Sequence, residues 1–301
     1  MDYDNEKDFP IFEDVLKKRP EINPETLKKD LQRYYLPFAQ KLINLKKQNP
    51  NQGIIVGVSA VQGAGKTTQG GIMVSLLEHL GYASISLSID DHYLTHKELN
   101  QLRAKDPCFI RRGVTHDIGL AVKNLTDLKN MQDGQKVQIP IYDKGAFAGD
   151  GDRVGFRIIS QKPDFIFYDG WMLGAKKVED ESIFESGLPA LDSPEYIQFA
   201  KDINKKLDEY LPLWDLIDFM NVLYVPNYQI SLKWRNQAEE RLRTEGKGMS
   251  YEQIKEFVYY FWRSVHPAIQ IKNLTFDKNT DQVVIINDDH TIKEIFKKCL
   301  T

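Results

Sequence analysis

Residues 54–70 read IIVGVSAVQGAGKTTQG, from Ile54 to Gly70. An apolar, β-branched run ends in small residues and gives way to Gly63-Ala64-Gly65-Lys66-Thr67-Thr68, and a helix-period pattern follows from near Ile72. The order is strand, loop, helix. Glycines let consecutive backbone N–H groups turn inward on a phosphate chain, and the helix N-terminus adds its partial positive charge. Lys66 is then placed to reach the β- and γ-phosphates, and the Thr67 hydroxyl to take a position on Mg²⁺.

The full phosphate-loop pattern is G-x-x-x-x-G-K-[ST], and its first glycine position holds Ala60. Alanine allows less backbone freedom at the entry to the loop. Gly63, Gly65, Lys66 and Thr67 keep the parts that touch phosphate.

At 301 residues with 42% hydrophobic content, the chain has ample material for a packed core in one large or two smaller domains. A net charge of −3 supplies no basic field for duplex nucleic acid, so nucleic acid is not the expected partner. Cys108 and Cys299 are far apart, with no Cys-x-x-Cys and no Cys/His cluster at zinc spacing. The N-terminal MDYDNEKDFPIFED is acidic where a signal peptide is basic and then apolar, and no run is long and apolar enough for a bilayer. These features predict a soluble protein of a reducing compartment, cytoplasmic for a prokaryote.

Around the loop, Asn23-Pro24-Glu25 opens a helix carrying Leu27, Leu31, Tyr34, Phe38 and Leu42, with a bend expected at Pro37. Residues 1–52 are read as a helical cover on the core and 53–301 as the main domain. Ile72, Met73, Leu76, Leu77 and Leu80 form an apolar stripe that Gly81 ends. Ala83, Ile85, Leu87 and Ile89 then alternate with serines, so a strand delivers Asp90 and Asp91 beyond its C-terminal end, the edge where open parallel sheets bind ligands. Two carboxylates there suit a general base for a substrate hydroxyl and an outer Mg²⁺ ligand; the alternative is a solvated helix cap.

Here the string VQGAGKTT followed by SLSIDDHYLTH resembles the D-glycerate 3-kinase family, and more broadly the P-loop kinases that include phosphoribulokinase, uridine kinase and pantothenate kinase. The resemblance implies an α/β fold, a three-layer αβα P-loop kinase sandwich with a mostly parallel sheet. The wider group carries Ser-x-Asp-x-Phe-Tyr after its second strand, with the Asp as catalytic base. Ser88, Asp90 and Tyr93 match, His92 stands in place of Phe, and Asp91 belongs to the narrower family's Asp-Asp-x-Tyr-Leu-Thr string.

Downstream, Arg111-Arg112-Gly113-Val114-Thr115-His116-Asp117 is similar to the family's Arg-Gly stretch ending in Gly-Thr-His-Asp, with a shorter approach. Arg112, Thr115, His116 and Asp117 thereby become candidates to grip a small carboxylate or hydroxyl substrate. Read alone, the arginines are equally surface charges, and Asp117 equally a cap for a helix over 118–128. Lys136 to Ile141 alternates as a strand, and IPIYDK with Gly149-Asp150-Gly151-Asp152-Arg153 resembles two more family motifs, implying substrate roles for Tyr142, Asp143, Lys144 and Arg153. Without the resemblance, those glycines and aspartates mark a tight turn.

Residues 163–171, PDFIFYDGW, form a short apolar run ending in Asp169, the arrangement a Walker-B strand needs to orient Mg²⁺ or its water. The family usually has Glu there. Ser193-Pro194 starts another helix, Phe219 to Val225 is a further strand, and Lys233-Trp234-Arg235-Asn236-Gln237-Ala238-Glu239 resembles the family's lid-helix segment. Arg235 can bring charge to a migrating phosphoryl group, or pair along an exposed helix with Glu239 and Arg243. Gly246-Lys247-Gly248 breaks the chain, Ser250 with Gln253 opens a helix through a capping box, and Val283 to Asn287 is the last strand expected.

The resulting expectation is an enzyme that moves the γ-phosphoryl of ATP, with Mg²⁺, to a hydroxyl of D-glycerate. Its alternatives are another acceptor (a nucleoside, pantothenate or a sugar phosphate) and a non-catalytic ATP-binding regulator. No membrane partner is expected, and the sequence does not set the oligomeric state.

Overall fold

The fold grows outward from the strand that precedes the phosphate loop. In the computed structural model, which describes residues 3, 4, 6–109, 113–244 and 249–297, β1 (Ile54–Ala60) is buried at every position. It pairs in parallel with β5 (Phe165–Gly170) on one side and β6 (Phe219–Tyr224) on the other. A central parallel strand is covered on both faces, so its sequence runs apolar without alternation. Outside β5 lies β2 (Ser84–Ser88), outside β6 lies β7 (Gln282–Ile286), and antiparallel β8 (Ile292–Lys297) closes that edge. A second sheet is an antiparallel ribbon of β3 (Val137–Asp143) and β4 (Asp152–Ile159).

Helices sandwich the main sheet in the expected αβα arrangement. The N-terminal stretch holds α1 (Glu13–Lys18), α2 (Pro24–Asp30) and α3 (Leu36–Gln48). The Asn23 side chain caps α2 by accepting from the amides of Glu25 and Thr26. The bend expected at Pro37 is a π turn over Leu31–Tyr35, one turn earlier. Proline lacks the amide that would extend the α pattern, and the Leu36 amide instead reaches five residues back, to the Leu31 carbonyl. α4 (Lys66–His79) begins at the loop itself, six residues before its apolar period, because its first turn is polar. Buried Tyr34, Gln69, Asn221 and Gln282 join in one hydrogen-bonded cluster that ties the π turn to α4, β6 and β7.

Beyond β2, the chain forms α5 (His96–Arg103) and α6 (Ile118–Lys129), then the ribbon, β5, α7 (Pro194–Lys206) and α8 (Leu211–Trp214). After β6 come α9 (Ile230–Thr244), α10 (Tyr251–Ser264) and α11 (Gln270–Leu274). Ser250 and Gln253 make the expected capping box on α10. Arg111, Arg112, the Gly246-Lys247-Gly248 break and Cys299 lie outside the described residues. Among the described residues, no helix is long and apolar enough to cross a membrane.

Two strands depart from the sequence reading. A further strand, β8, follows the one expected over 283–287; its sequence, IKEIFK, does not alternate, and Lys293, Glu294 and Phe296 are exposed. β4 extends what read as a turn, and it is inverted. Val154, Phe156 and Ile158 are each 58% exposed, while Arg153 and Arg157 point inward to bond the carbonyls of Tyr93 and Ser86.

Candidate active site

Ala60 ends β1 within the strand and is absent from the residues of positive φ, so its methyl group strains nothing. Its carbonyl accepts from Lys66 Nζ at 2.9 Å, and that of Val61 accepts at 3.1 Å. Gly63 is different: its φ is +84°, and a Cβ there would lie 2.9 Å from Cβ of Trp234. Helix α9 thus rests directly on the loop through Trp234, whose indole N–H also donates to the Asp288 carbonyl. Ala64 is buried, Gly65 occupies the N-cap of α4, and Thr67 and Thr68 lie in its first turn.

The acids arrive from two adjacent strand ends. Asp169 closes β5, with Oδ2 accepting from Thr67 Oγ1 at 3.4 Å and Oδ1 from Ser88 Oγ at 3.2 Å. Burial pushes its carboxyl up to about 6, against the pull of Lys66. Burial likewise lowers the Lys66 ammonium, while Asp169 and Asp90 oppose that shift. The loop lysine and both acids therefore share one electrostatic environment.

Asp90 stands on a 3₁₀ turn, Ile89–His92, that follows β2 one residue earlier than expected. Lys144 Nζ donates to its Oδ2 at 2.5 Å, and Oδ1 is buried without a partner among the described residues. Burial raises this carboxyl, but Lys144, His116 and Lys66 outweigh it and hold it below the ordinary value. Asp91 does not share the pocket-facing position. Its carboxylate accepts from the Ser88 amide in a capping box and lies 3.6 Å from Arg157, and of the paired acids it is Asp90 that acts on the charge of Lys66.

A second group of candidates gathers beside Asp90. The segments around Tyr93 and His116 form an antiparallel bridge, and their rings stack at 4.2 Å. Tyr142 packs on Tyr93 at 5.3 Å, and Trp171 Nε1 donates to the Tyr93 hydroxyl at 3.1 Å. Thr115 is buried, and its carbonyl accepts from the Leu94 amide. Asp117 caps α6 through the Leu120 amide and also meets Arg153 Nη2 at 3.2 Å. Arg153 reaches Glu98 and the Tyr93 carbonyl as well. It lashes the ribbon to the pocket wall rather than standing free toward a ligand. Asp143 Oδ1 accepts from the Gly145 amide, turning the loop that carries Lys144.

On α9, Arg235 pairs with buried Glu239, and its guanidinium lies 4.9 Å over the Phe257 ring. The helix-pair reading of this arginine is the one realised, although Glu239 is buried and not exposed. Four residues that contact this site stood outside the candidate set: Ser88, Trp171, Tyr210 and Trp234. Ser88, Trp171 and Trp234 stood within quoted motif strings, whereas no motif surrounds Tyr210.

The donor set can be tested for a divalent metal. Among the described residues no group of three His, Cys, Asp or Glu side chains forms a metal cage. Thr67 and Asp169 instead supply one hydroxyl and one carboxylate 3.4 Å apart at the helix N-terminus. This suits Mg²⁺, which keeps waters and takes phosphate oxygens in place of a full protein shell. A cavity of about 480 Å³ opens one strand away, at the C-terminal ends of β6 and β7, lined by Asn227, Asn287, Asp288 and Lys293 among others.

No protein-family model matches the chain. Over 247 residues, 76% of its length, it is 30% identical to the chloroplastic D-glycerate 3-kinase of Arabidopsis thaliana; the match takes in 52% of that protein, so the chain spans about half the plant relative's length. It is 31% identical over 248 residues to the probable ATP-dependent kinase TDA10 of Saccharomyces cerevisiae, covering 75% of this chain and 81% of the yeast protein. A solved structure of D-glycerate 3-kinase from Cryptococcus neoformans var. grubii superposes with a TM-score of 0.78 at 26% identity, over 89% of this chain and 98% of that one. Likeness at this level across most of the chain, on a shared fold, makes this protein a member of the D-glycerate 3-kinase family of P-loop kinases.

Proposed function

We propose that this protein transfers the γ-phosphoryl group of ATP to a hydroxyl of a small hydroxy acid, D-glycerate before others. One observation carries the reading: Asp90 Oδ1, buried and without a partner among the described residues, sits in the same electrostatic environment as the Lys66 loop. A carboxylate kept ionised by Lys144 and Lys66 is suited to act as a base.

In this reading the loop amides and the N-terminus of α4 bind the phosphate chain, and Lys66 exchanges the Ala60 and Val61 carbonyls for the β- and γ-phosphates. Thr67 and Asp169 would hold Mg²⁺, which when bound neutralises charge on the phosphate oxygens. Asp90 takes the proton of the acceptor hydroxyl. The hydroxyl oxygen forms a bond to the γ-phosphorus, the bond from that phosphorus to the β–γ bridging oxygen breaks, and ADP departs. Lys144 is freed from Asp90 as the proton arrives and can pair with the acceptor's carboxylate. The cavity at the ends of β6 and β7 adjoins Asp288, which Trp234 links to the loop, and accommodates the rest of the nucleotide. A reducing compartment, the cytoplasm of a prokaryotic cell, suits the free thiol of Cys108.

The test is ADP release measured across D-glycerate, other hydroxy acids, nucleosides, pantothenate and sugar phosphates. D-glycerate should give the highest kcat/KM, and Asp90→Asn should lower kcat by about 10²–10⁴-fold with ATP affinity retained. A nucleoside or sugar phosphate outperforming D-glycerate would reassign the acceptor. ATP binding with no acceptor-dependent ADP would end the kinase reading.

A further inference from the structure

We propose that Tyr210 is a positioning residue that sets the tautomer of His116, so that the imidazole offers an Nε2–H donor to the acceptor molecule beside Asp90. The inference deepens the kinase reading and rests on it for the identity of the acceptor, but its structural core is independent of which acceptor is used.

Tyr210 ends the 3₁₀ turn Leu207–Tyr210, immediately before α8, and is 2% exposed. Its hydroxyl accepts from the His116 backbone amide at 3.4 Å and lies 2.7 Å from His116 Nδ1. Two arrangements are conceivable. If Nδ1 carried the proton, the phenol hydrogen would have no acceptor among the described residues and Nε2 would be a second unpaired atom. If the phenol donates to Nδ1, only Nε2–H is left over. An unmet buried polar group costs about 1–3 kcal/mol, so the arrangement with one fewer is favoured.

The remaining group has no partner among the described residues. Nε2 of His116 is buried without a partner, as is Asp90 Oδ1, and the two residues lie close enough that each alters the other's charge. Burial also lowers His116 to about 3, against the pull of Asp90, so the ring is neutral and has one proton to place. The ring cannot swing to another partner. Tyr93 stacks on one face at 4.2 Å and 21°, and Tyr210 meets it edge-on at 87°. Trp214 in turn stacks on Tyr210 at 5.4 Å.

The site therefore holds one unmet acceptor, Asp90 Oδ1, and one unmet donor, His116 Nε2–H, on residues near enough to alter each other's charge. That pair fits a hydroxyl next to an oxygen that can only accept, as the carboxylate of a 2,3-dihydroxy acid does. It disfavours an acceptor with an N–H group at the same place, because two donors would then meet.

The experiment reads the tautomer directly by ¹⁵N NMR of histidine-labelled full-length protein, the His116 signals being identified by their loss in His116→Asn. The expected result is a pyrrole-type Nε2 and a pyridine-type Nδ1 in the wild type, with Tyr210→Phe shifting both toward the mixed-tautomer average. The reverse tautomer in the wild type, or no shift in Tyr210→Phe, overturns the proposal, and neither measurement needs an acceptor. In turnover, Tyr210→Phe should raise the KM for D-glycerate about tenfold while leaving the KM for ATP unchanged. An unchanged D-glycerate KM in a protein active on D-glycerate also overturns it. Should D-glycerate fail as an acceptor, the spectra still decide the tautomer, so the two readings fail separately. Should Tyr210→Phe not fold, the wild-type spectrum decides alone.

Discussion

Two small residues of the phosphate loop, Ala60 and Gly63, carry opposite consequences. Ala60 departs from the loop pattern, yet it sits in ordinary strand backbone, so Ala60→Gly should leave the KM for ATP within about twofold and cost about 0.5–1 kcal/mol of stability from added chain entropy. Gly63→Ala meets both a left-handed backbone and the Trp234 side chain, and should raise the ATP KM while costing at least about 1–2 kcal/mol. Urea unfolding and initial rates on the two variants would sink this contrast if Ala60→Gly proved the more damaging. Lys66→Ala should lower turnover by orders of magnitude with the fold intact, because its ammonium is desolvated and its hydrogen bonds go to the carbonyls of Ala60 and Val61. At this scale the loop was legible because phosphate chemistry dictates residue type at fixed spacing. The motif match singled out Asp90, but what holds Asp91 away was not legible: a 3₁₀ turn separates neighbours by about a third of a turn, and Ser88 and Arg157 claim Asp91.

The β3–β4 ribbon turns its apolar side outward. Its apolar alternation over Val154, Phe156 and Ile158 suggests a buried face, but the inward face belongs to Arg153 and Arg157. Arg153 bonds one carbonyl and two carboxylates and is 16% exposed at its side chain. Arg153→Ala should therefore destabilise by about 1.5–3 kcal/mol through loss of charge-assisted bonds, whereas Val154→Thr should stay within about 0.5 kcal/mol of wild type, as surface changes do. Denaturant midpoints of the two variants test this, and equal losses would mean that the exposed face is covered in solution. Helices were more legible than strands. Asn23, Ser193 and Ser250 each cap the helix that they were expected to begin, since a cap is a local bond between a side chain and amides two or three residues on.

Across the whole molecule, stability should vary with pH in a direction set by three buried histidines. His92, His116 and His266 are lowered by burial to about 4, 3 and 4 from 6.5. The unfolded chain takes up these protons near 6.5 and the folded chain only well below, so stability falls as pH drops through 6.5 toward 4. Asp169 works the other way: its folded carboxyl titrates near 6 against 3.8, so protonating it in metal-free protein favours the fold between those values. Three groups outweigh one, and the thermal midpoint should fall between about pH 7 and about pH 4.5. His92→Phe strands the Tyr168 hydroxyl and the Asn124 amide and should cost about 1–3 kcal/mol near neutral pH. The gap to wild type should then narrow on acidification, and a constant gap would rule out a neutral buried His92. The sequence by itself determined the strand–loop–helix centre and most helix starts, because these follow from periodicity, capping and spacing along a few residues, and its motifs carried the resemblance that implied the αβα class and the family. Only the tertiary structure decided that Arg153 is an internal tie and that Tyr210 reaches His116. Those choices depend on which side chains meet across 36 to 94 positions of chain, as Arg153 does with Asp117 and Tyr210 with His116. No local pattern records such a meeting.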